Sequence, residues 1–524
     1  MKIIGDKIKV LLVFVVFFIL FLIIQLSING FFSFDDPYYH AKHSALMAES
    51  GDLTLIRPWL KFHFFNYAPT DPWWGFHVAQ ALFIKFSNII IGTKIFVSLL
   101  ASLVFAVFYY ILKKQNTRFP LIWTALYFSA SALLLNRLLL ERPFLLALSV
   151  LPLTFYYCSQ KKYIHLFLLA LLYALFYNLA PLVIFLAIFY AAAEYLTVKM
   201  FNLKIIIASA AGIAAGFLLH PHSLNYIFVA SVHFFQVVWL RFMGVNLSVG
   251  SEIQTPGFLY FISANFLAII FYLVAVIIFC GVKKIRSGAN GAVNYFLFYY
   301  SFLWFFITLI LPRGVEYWLP LGWIFIAFIF NDFYGSYEYG QIKNFLARGL
   351  NLKVLSFFII GFMSVMILYN YSLIYLNIYW QNRDQWPADL AQANDWLKKN
   401  TPVGSLIFYN NWGMWPMMFY YNDHNQYITG MDPTFLYEYD HKLFWLWKNI
   451  SYYGLYCDQQ ETCLNASPRD NGKLIKVVVK EKFQADYVLL TNNQEQPLAK
   501  FLMSSKKDFL KVFSNEKVLI YELK

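Results

Sequence analysis

The chain has 524 residues, of which 60% are apolar and 13% charged, with a net charge of +13. Ordinary globular chains are about 45–50% apolar and about 25% charged, so a disordered chain, a collagenous chain and a disulfide-built miniprotein are all excluded. What remains is a polytopic α-helical membrane protein, in which the basic excess has meaning only through where the lysines and arginines stand.

A helix needs about 20 apolar residues to cross the hydrocarbon core. Taken in chain order, apolar runs predict spans at 10–31, 93–112, 119–136, 144–158, 163–177, 180–197, 204–219, 257–281, 293–311, 316–333 and 352–378. The first follows Lys2, Lys7 and Lys9 and lacks a small-residue cleavage site, which marks a retained signal anchor. Segments 76–90 and 224–241 are apolar as well, but short and aromatic; they are expected to lie at the outer interface. The expected count is therefore eleven spans, or thirteen if both of these cross.

Basic residues follow every even-numbered span: Lys113, Lys114 and Arg118, then Lys161 and Lys162, then Lys199 and Lys204. The pattern continues with Lys283, Lys284 and Arg286, and with Lys343, Arg348 and Lys353. Short basic loops are cytoplasmic by the positive-inside rule. The N-terminus is then inside, and segments 32–92 and 220–256 and the tail 379–524 are outside. Nine of the ten histidines fall on that outer side, with His165 the exception. The expected organisation is a transmembrane domain over 1–378 and an exoplasmic α/β domain over 379–524. In the tail, 388–399 has helical periodicity, while Ser405–Tyr409 and Tyr487–Thr491 have strand character. Cys457 and Cys463, separated by five residues in an oxidising compartment, are expected to form a disulfide; Cys158 and Cys280, at helix ends, are expected to be core residues.

Four outer segments hold residues suited to chemistry. Asp35 and Asp36 stand side by side ahead of Pro37, Tyr38, Tyr39 and His40, and adjacent carboxylates require a proton, a divalent metal or a cationic partner. The plainer alternative is a helix that Asp36 caps and Pro37 starts. The short loop Asn136–Pro143 carries Arg137, Glu141 and Arg142, for which local ion pairing of Glu141 with either arginine is the plainer alternative. Glu252 precedes the eighth span, and Arg313 opens the segment Pro312–Pro320. A guanidinium there either snorkels or grips a lipid phosphate bidentately. The tail string Tyr421–Pro433 either lines an acceptor groove or supplies strand and turn residues. Together these outer groups can neutralise a departing phosphate and stack on sugar faces.

At this point the residues resemble a family. Asp35-Asp36-Pro37-Tyr38-Tyr39-His40 resembles the first-loop motif of oligosaccharyltransferase catalytic subunits. Ser251-Glu252-Ile253-Gln254-Thr255-Pro256 is similar to their fifth-outer-loop motif, and Arg313 with Tyr317 and Pro320 to their Arg-x-x-x-Tyr-x-x-Pro helix start. The resemblance implies a GT-C membrane glycosyltransferase fold acting on a polyprenyl-phosphate-linked sugar donor, with the cell membrane as its location. It implies Asp36, Asp35 and Glu252 as catalytic groups, and Asp36, Glu141 and Glu252 as ligands of a divalent metal, Mg or Mn. Arg313 and His40 would face the donor phosphate, and Tyr38, Tyr39 and Trp412 the acceptor or sugar. The family's Trp-Trp-Asp-Tyr-Gly signature, which reads an asparagine sequon, is replaced here by Asn410-Asn411-Trp412-Gly413-Met414-Trp415-Pro416. Acceptors therefore stay open among protein, glycan and lipid, including a Ser/Thr hydroxyl. A lipid-linked glycan transporter or flippase is the reading from another class, and it predicts charges buried in mid-span. Nucleic acid is not an expected partner.

Overall fold

The computed structural model describes residues 2–56, 59–247, 250, 257–287, 291–349, 352–460, 468–493 and 495–524. Each predicted span coincides with a helix or a helix pair. Among the described residues, five helical segments are long and apolar enough to cross a membrane, two bent pairs qualify jointly, and four further apolar helices are shorter. The protein is an integral membrane protein. Ile89–Lys114 and Pro312–Tyr334 are its central helices, with 78% and 89% of their apolar windows buried, against 17% for Gly5–Leu26 and 11% for Ser356–Asn400. The outer two expose Leu11, Val16, Phe357, Ile360 and Leu368, the faces that lipid covers.

The span expected over 119–136 is a bent helix pair. Helix Pro120–Ser129 breaks and continues as Ala132–Leu139 at 84°. A second pair, Phe258–Ala264 and Phe266–Gly281, breaks at 80°. The two breaks face each other and satisfy each other's polar groups. Ser131 Oγ donates to Asn265 Oδ1 at 2.6 Å and accepts from Leu134 N at 2.9 Å, while Ala268 N donates to Ala130 O at 3.3 Å. Irregular backbone at membrane depth is tolerated where protein buries it. The consequence is functional, because the turned helix carries Arg137, Glu141 and Arg142 into the interior.

Helices Tyr163–Phe176 and Leu203–Leu219 approach closely because Gly212 and Gly216 lie on the contact face four residues apart. A Cβ at Gly212 would stand 2.3 Å from Phe167 O, and one at Gly216 2.6 Å from Leu171 O. Small residues at this spacing let membrane helices pack backbone to backbone. Gly212→Ala should therefore destabilise by about 1–3 kcal/mol through overpacking. Gly361→Ala, on a helix where nothing lies within 4 Å, should gain up to about 1 kcal/mol of helix propensity. Thermal unfolding of the two variants in detergent, shifting in opposite directions, checks this.

The basic connections gather at one end. Lys113 pairs with Asp6 at 3.5 Å, Lys161 with Glu194 at 2.9 Å, and Arg118 N donates to Asn331 Oδ1 at 3.0 Å. The other end carries the long loops and the tail. The tail holds a five-stranded sheet of β1 Leu406–Tyr409, β2 Gln426–Tyr427, β3 Tyr487–Thr491, β4 Phe509–Ser514 and β5 Val518–Leu523, in the order β2-β1-β3-β5-β4. The first three are mutually parallel, and β5 and β4 run antiparallel. Helix Trp386–Asn400 covers the predicted 388–399 segment.

The first long loop docks on this sheet. Tyr427 N donates to Trp59 O at 2.7 Å, and Lys61 N to Tyr427 O at 2.8 Å, so the loop extends the β2 edge. Lys42 pairs with Asp423 at 3.1 Å. Phe31, Tyr38, Tyr39, Leu60 and Phe62 share one apolar core with the tail. That shared core holds the first loop's helix Asp36–Ser50 against the tail.

Candidate functional site

Helix Asp36–Ser50 starts on Pro37, as its fixed φ favours, but the two carboxylates do not cap it. Asp35 occupies the cap position without a side-chain cap bond. It instead accepts from Ser33 Oγ and from Arg142 Nη2, both at 2.6 Å, while Arg142 Nη1 lies 3.4 Å from Asp36 Oδ2. A charge-assisted pair with a largely buried guanidinium outweighs a cap bond to a backbone N–H. The cationic partner that the adjacent carboxylates require is therefore Arg142.

Asp36, His40 and Tyr39 line a cavity of about 180 Å³ together with Arg142, Arg313, Tyr177, Asn178, His233 and Asp432. Arg313 Nη2 donates to Tyr177 Oη at 2.8 Å, and its Nε stands 3.8 Å from Glu316. Glu316 is fully buried and also accepts from Arg137 Nε at 2.7 Å, with the Arg137 guanidinium stacked over Phe144. Two guanidinium groups thus face one cavity, each anchored from behind. Such a preorganised cationic wall suits a phosphate or pyrophosphate at the membrane boundary.

Glu141 has a different environment from either arginine's partners. It is fully buried, and both carboxyl oxygens lie 3.3 Å from Phe32 N. Burial pushes its pKa up from 4.5 to about 8, against hydrogen bonds from backbone N–H groups and the nearby Lys94. The unfolded chain releases this proton near 4.5 and the folded chain near 8, so folding takes up a proton between those values. Stability therefore falls as pH rises through that window, by about 1.4 kcal/mol per pH unit at most. Glu141→Gln, which mimics the neutral acid, should match the parent near pH 4.5 and unfold at higher temperature than it near pH 8. Thermal unfolding of both proteins across this range is the measurement.

Behind the cavity a chain of side chains runs from His40 to His77 and Asp71, the last two of which sequence reading missed. His40 Nδ1 lies 2.7 Å from His77 Nε2, and His77 Nδ1 lies 2.6 Å from Asp71 Oδ2. All three are buried. Burial, and then the neighbouring His77 and Arg142, hold His40 well below the usual histidine range, so it is neutral. Burial would raise the Asp71 carboxyl, but His77 and His43 beside it keep it well below the ordinary value. A signal for Asp71 and Asp432 exists in the sequence. The chain contains three Asp-Pro dipeptides, at 36–37, 71–72 and 432–433, and each one leads into a helix at this end of the molecule.

The other expected residues fall as follows. Tyr39 lies between Trp415, Phe419 and His77 and reaches the cavity, whereas Tyr38 packs edge-on against Phe31 and Tyr420. Trp412 borders Gly250 and does not line the cavity. In the tail string, Met431 and Asp432 reach the cavity, while Asn422, Asn425 and Tyr427 bond to one another inside the fold. Cys457 is disulfide-bonded. Glu252 and Cys463 lie outside the described residues.

Asp36 faces the Arg142 guanidinium and lines the cavity, whereas Glu141 is turned to Phe32 N and does not line it. Among the described residues, the group of three metal-ligating side chains with converging donor atoms is His43, Asp71 and His77.

No protein-family model and no curated protein matches the chain. Solved structures do. The oligosaccharyltransferase of Archaeoglobus fulgidus, tethered to an acceptor peptide containing an NVT sequon, aligns at TM-score 0.56 and 12% identity over 99% of this chain and 74% of its own. ArnT from Cupriavidus metallidurans bound to undecaprenyl phosphate aligns at 0.50 and 12%, over 98% and 97%. The same ArnT in its apo state aligns at 0.53 and 12%, over 98% of each chain. The chain has the GT-C fold.

Proposed function

We propose that this protein is an integral membrane glycosyltransferase that moves a sugar or oligosaccharide from a polyprenyl-(pyro)phosphate donor to an acceptor at the outer face of the membrane. The observation that carries the reading is the convergence of Asp36, His40, Arg142 and Arg313 on one cavity at the loop-bearing end. Two structural neighbours support it, one tethered to an acceptor peptide and one bound to undecaprenyl phosphate. By the positive-inside rule the basic loops favour a cytoplasmic N-terminus and an outer tail, where the cavity would meet donors arriving laterally from the bilayer.

The residues suggest a division of labour. Arg313 and Arg142 hold the donor phosphate and stabilise the charge that builds on it as the glycosidic bond breaks. Phosphate competes with Asp36 for Arg142, and the carboxylate released in this way accepts the proton of the attacking acceptor group. Asp35, joined to Arg142 and Ser33, keeps the guanidinium in place throughout. His40 completes the polar wall beside Asp36.

A hydroxyl acceptor on a lipid, a polysaccharide or a Ser/Thr side chain is favoured by one observation. Trp415, in the segment standing where the sequon-reading motif would be, is buried in the core against Tyr39 and Phe419. Transport is disfavoured, because the buried charges on the apolar helices, Lys94, Arg137, Glu194 and Glu316, stand within about two turns of helix ends, away from mid-span. The test is transfer by the purified protein from a labelled polyprenyl-phosphate sugar. Mass spectrometry of glycopeptides and glycolipids from cells with and without the gene then identifies the acceptor. Donor hydrolysis or transfer supports the reading, and a donor left intact with every acceptor class overturns it.

A further inference from the structure

We propose that His43, Asp71 and His77 form a binding site for a zinc-like divalent cation, separate from the carboxylates at the cavity. The donor atoms of the three lie within 4.8 Å of one another, and all three residues are buried. His43 Nε2 is the telling atom. It is buried without a hydrogen-bond partner and points at Asp71 Oδ2 from 3.5 Å. Leaving a polar atom unsatisfied in a dry site is costly unless something binds there.

The surroundings hold Asp71 for this task. Its Oδ1 accepts from Trp73 N at 3.0 Å, so Oδ2 is the oxygen turned to the histidines. His220 lies with Nε2 3.0 Å from the Asp71 carbonyl oxygen and fixes that backbone. The helices bearing His43 and His77 are tied together by Ser44 Oγ donating to Gln80 Oε1 at 2.7 Å, and Gln80 is held in turn by its Nε2 donating to Thr93 Oγ1 of the following helix at 3.0 Å. Two imidazoles and one carboxylate suit zinc better than magnesium or calcium, which prefer all-oxygen shells. Donors around a tetrahedral zinc at about 2.0–2.1 Å stand roughly 3.3–3.5 Å apart. The His43–Asp71 separation of 3.5 Å already meets this, and the 2.6 Å His77–Asp71 contact would open on binding.

Occupancy would also set the polarity of the cavity wall. A metal on His77 Nδ1 leaves the proton on Nε2, which then donates to His40 Nδ1 across 2.7 Å. His40 then carries its own proton on Nε2 and offers a donor toward the cavity shared by Arg142 and Arg313. Without the metal, His77 donates to Asp71 instead, and the chain reverses. This last consequence rests on the donor-phosphate reading above; the metal site itself does not.

The experiment uses the full chain in detergent, stripped with chelator and then titrated with cobalt(II) and, separately, zinc(II). One equivalent should bind per chain, with the intense visible bands of tetrahedral cobalt and a raised unfolding temperature. Both signals should be lost in His43→Gln and in Asp71→Asn and kept in Asp36→Asn. Stripped wild-type protein that keeps its helical circular dichroism but binds neither metal would overturn the proposal. So would binding that survives both ligand variants, or binding that disappears in Asp36→Asn. None of these readouts depends on sugar transfer, so the site can fail while the glycosyltransferase reading stands, and the reverse.

Discussion

Replacing Asp36 by alanine should lower kcat/KM for sugar transfer by about 10²–10⁴-fold, the usual contribution of a positioned general base. Two described carboxylates line the cavity, Asp36 and Asp432. Asp432 is committed elsewhere, since its Oδ1 accepts from Thr434 N at 2.7 Å and caps helix Pro433–Tyr439. Asp36 is therefore the carboxylate that the proposed transfer would use. Asp36→Asn keeps the shape and removes the charge, so it should lose nearly as much as alanine if proton acceptance is the role. Asp35→Ala should lose less, because Asp35 acts through Arg142 and does not line the cavity. Steady-state kinetics of the three variants, beside binding of labelled donor, separate these roles. Full activity in Asp36→Ala would sink the assignment.

Arg313→Ala should weaken donor use by about 2–5 kcal/mol, the range for truncating one partner of a desolvated charge pair. That corresponds to roughly 30-fold or more in the donor's KM. The loss should appear in KM for the donor while the acceptor's KM holds. Folding should survive, because the buried Glu316 keeps its 2.7 Å bond from Arg137 when Arg313 is gone. Arg313→Lys keeps the charge and loses the planar fork that matches phosphate oxygens, so an intermediate value is expected. An unchanged donor KM in Arg313→Ala would remove the phosphate role.

The two variants also show how sequence and structure divide. Arg313 and Asp36 were visible in the sequence as rare charges on the outer side of an apolar chain, one at a helix start and one before a proline. Their cavity partners were harder to see. Arg142 stood in a loop where pairing with the neighbouring Glu141 was the simple alternative, yet it reaches back more than a hundred residues to Asp35 and Asp36. His77 is 37 residues from His40, and nothing periodic links them. Tyr38 and Tyr39 are adjacent, yet one reaches the cavity and the other is taken into a Phe31–Tyr420 cluster. Successive residues on a helix point about 100° apart, and which face meets the cavity depends on the docking of the whole segment.

By itself, the sequence determined the membrane class, the location of the spans, the basic end and the α/β tail. These follow from apolar run length, charge placement and hydrophobic period, which are local properties that a bilayer reads directly. Only the tertiary structure decided the site. The 84° break at Ala130–Ser131 is held by a second break far along the chain, where Ala268 N donates to Ala130 O and Asn265 Oδ1 accepts from Ser131 Oγ. That turn brings Arg142 to Asp36, and docking of the first loop on the tail sheet holds Asp36 there. Pairings of this kind are settled by the need to satisfy buried polar groups across distant segments, which no single stretch of sequence expresses.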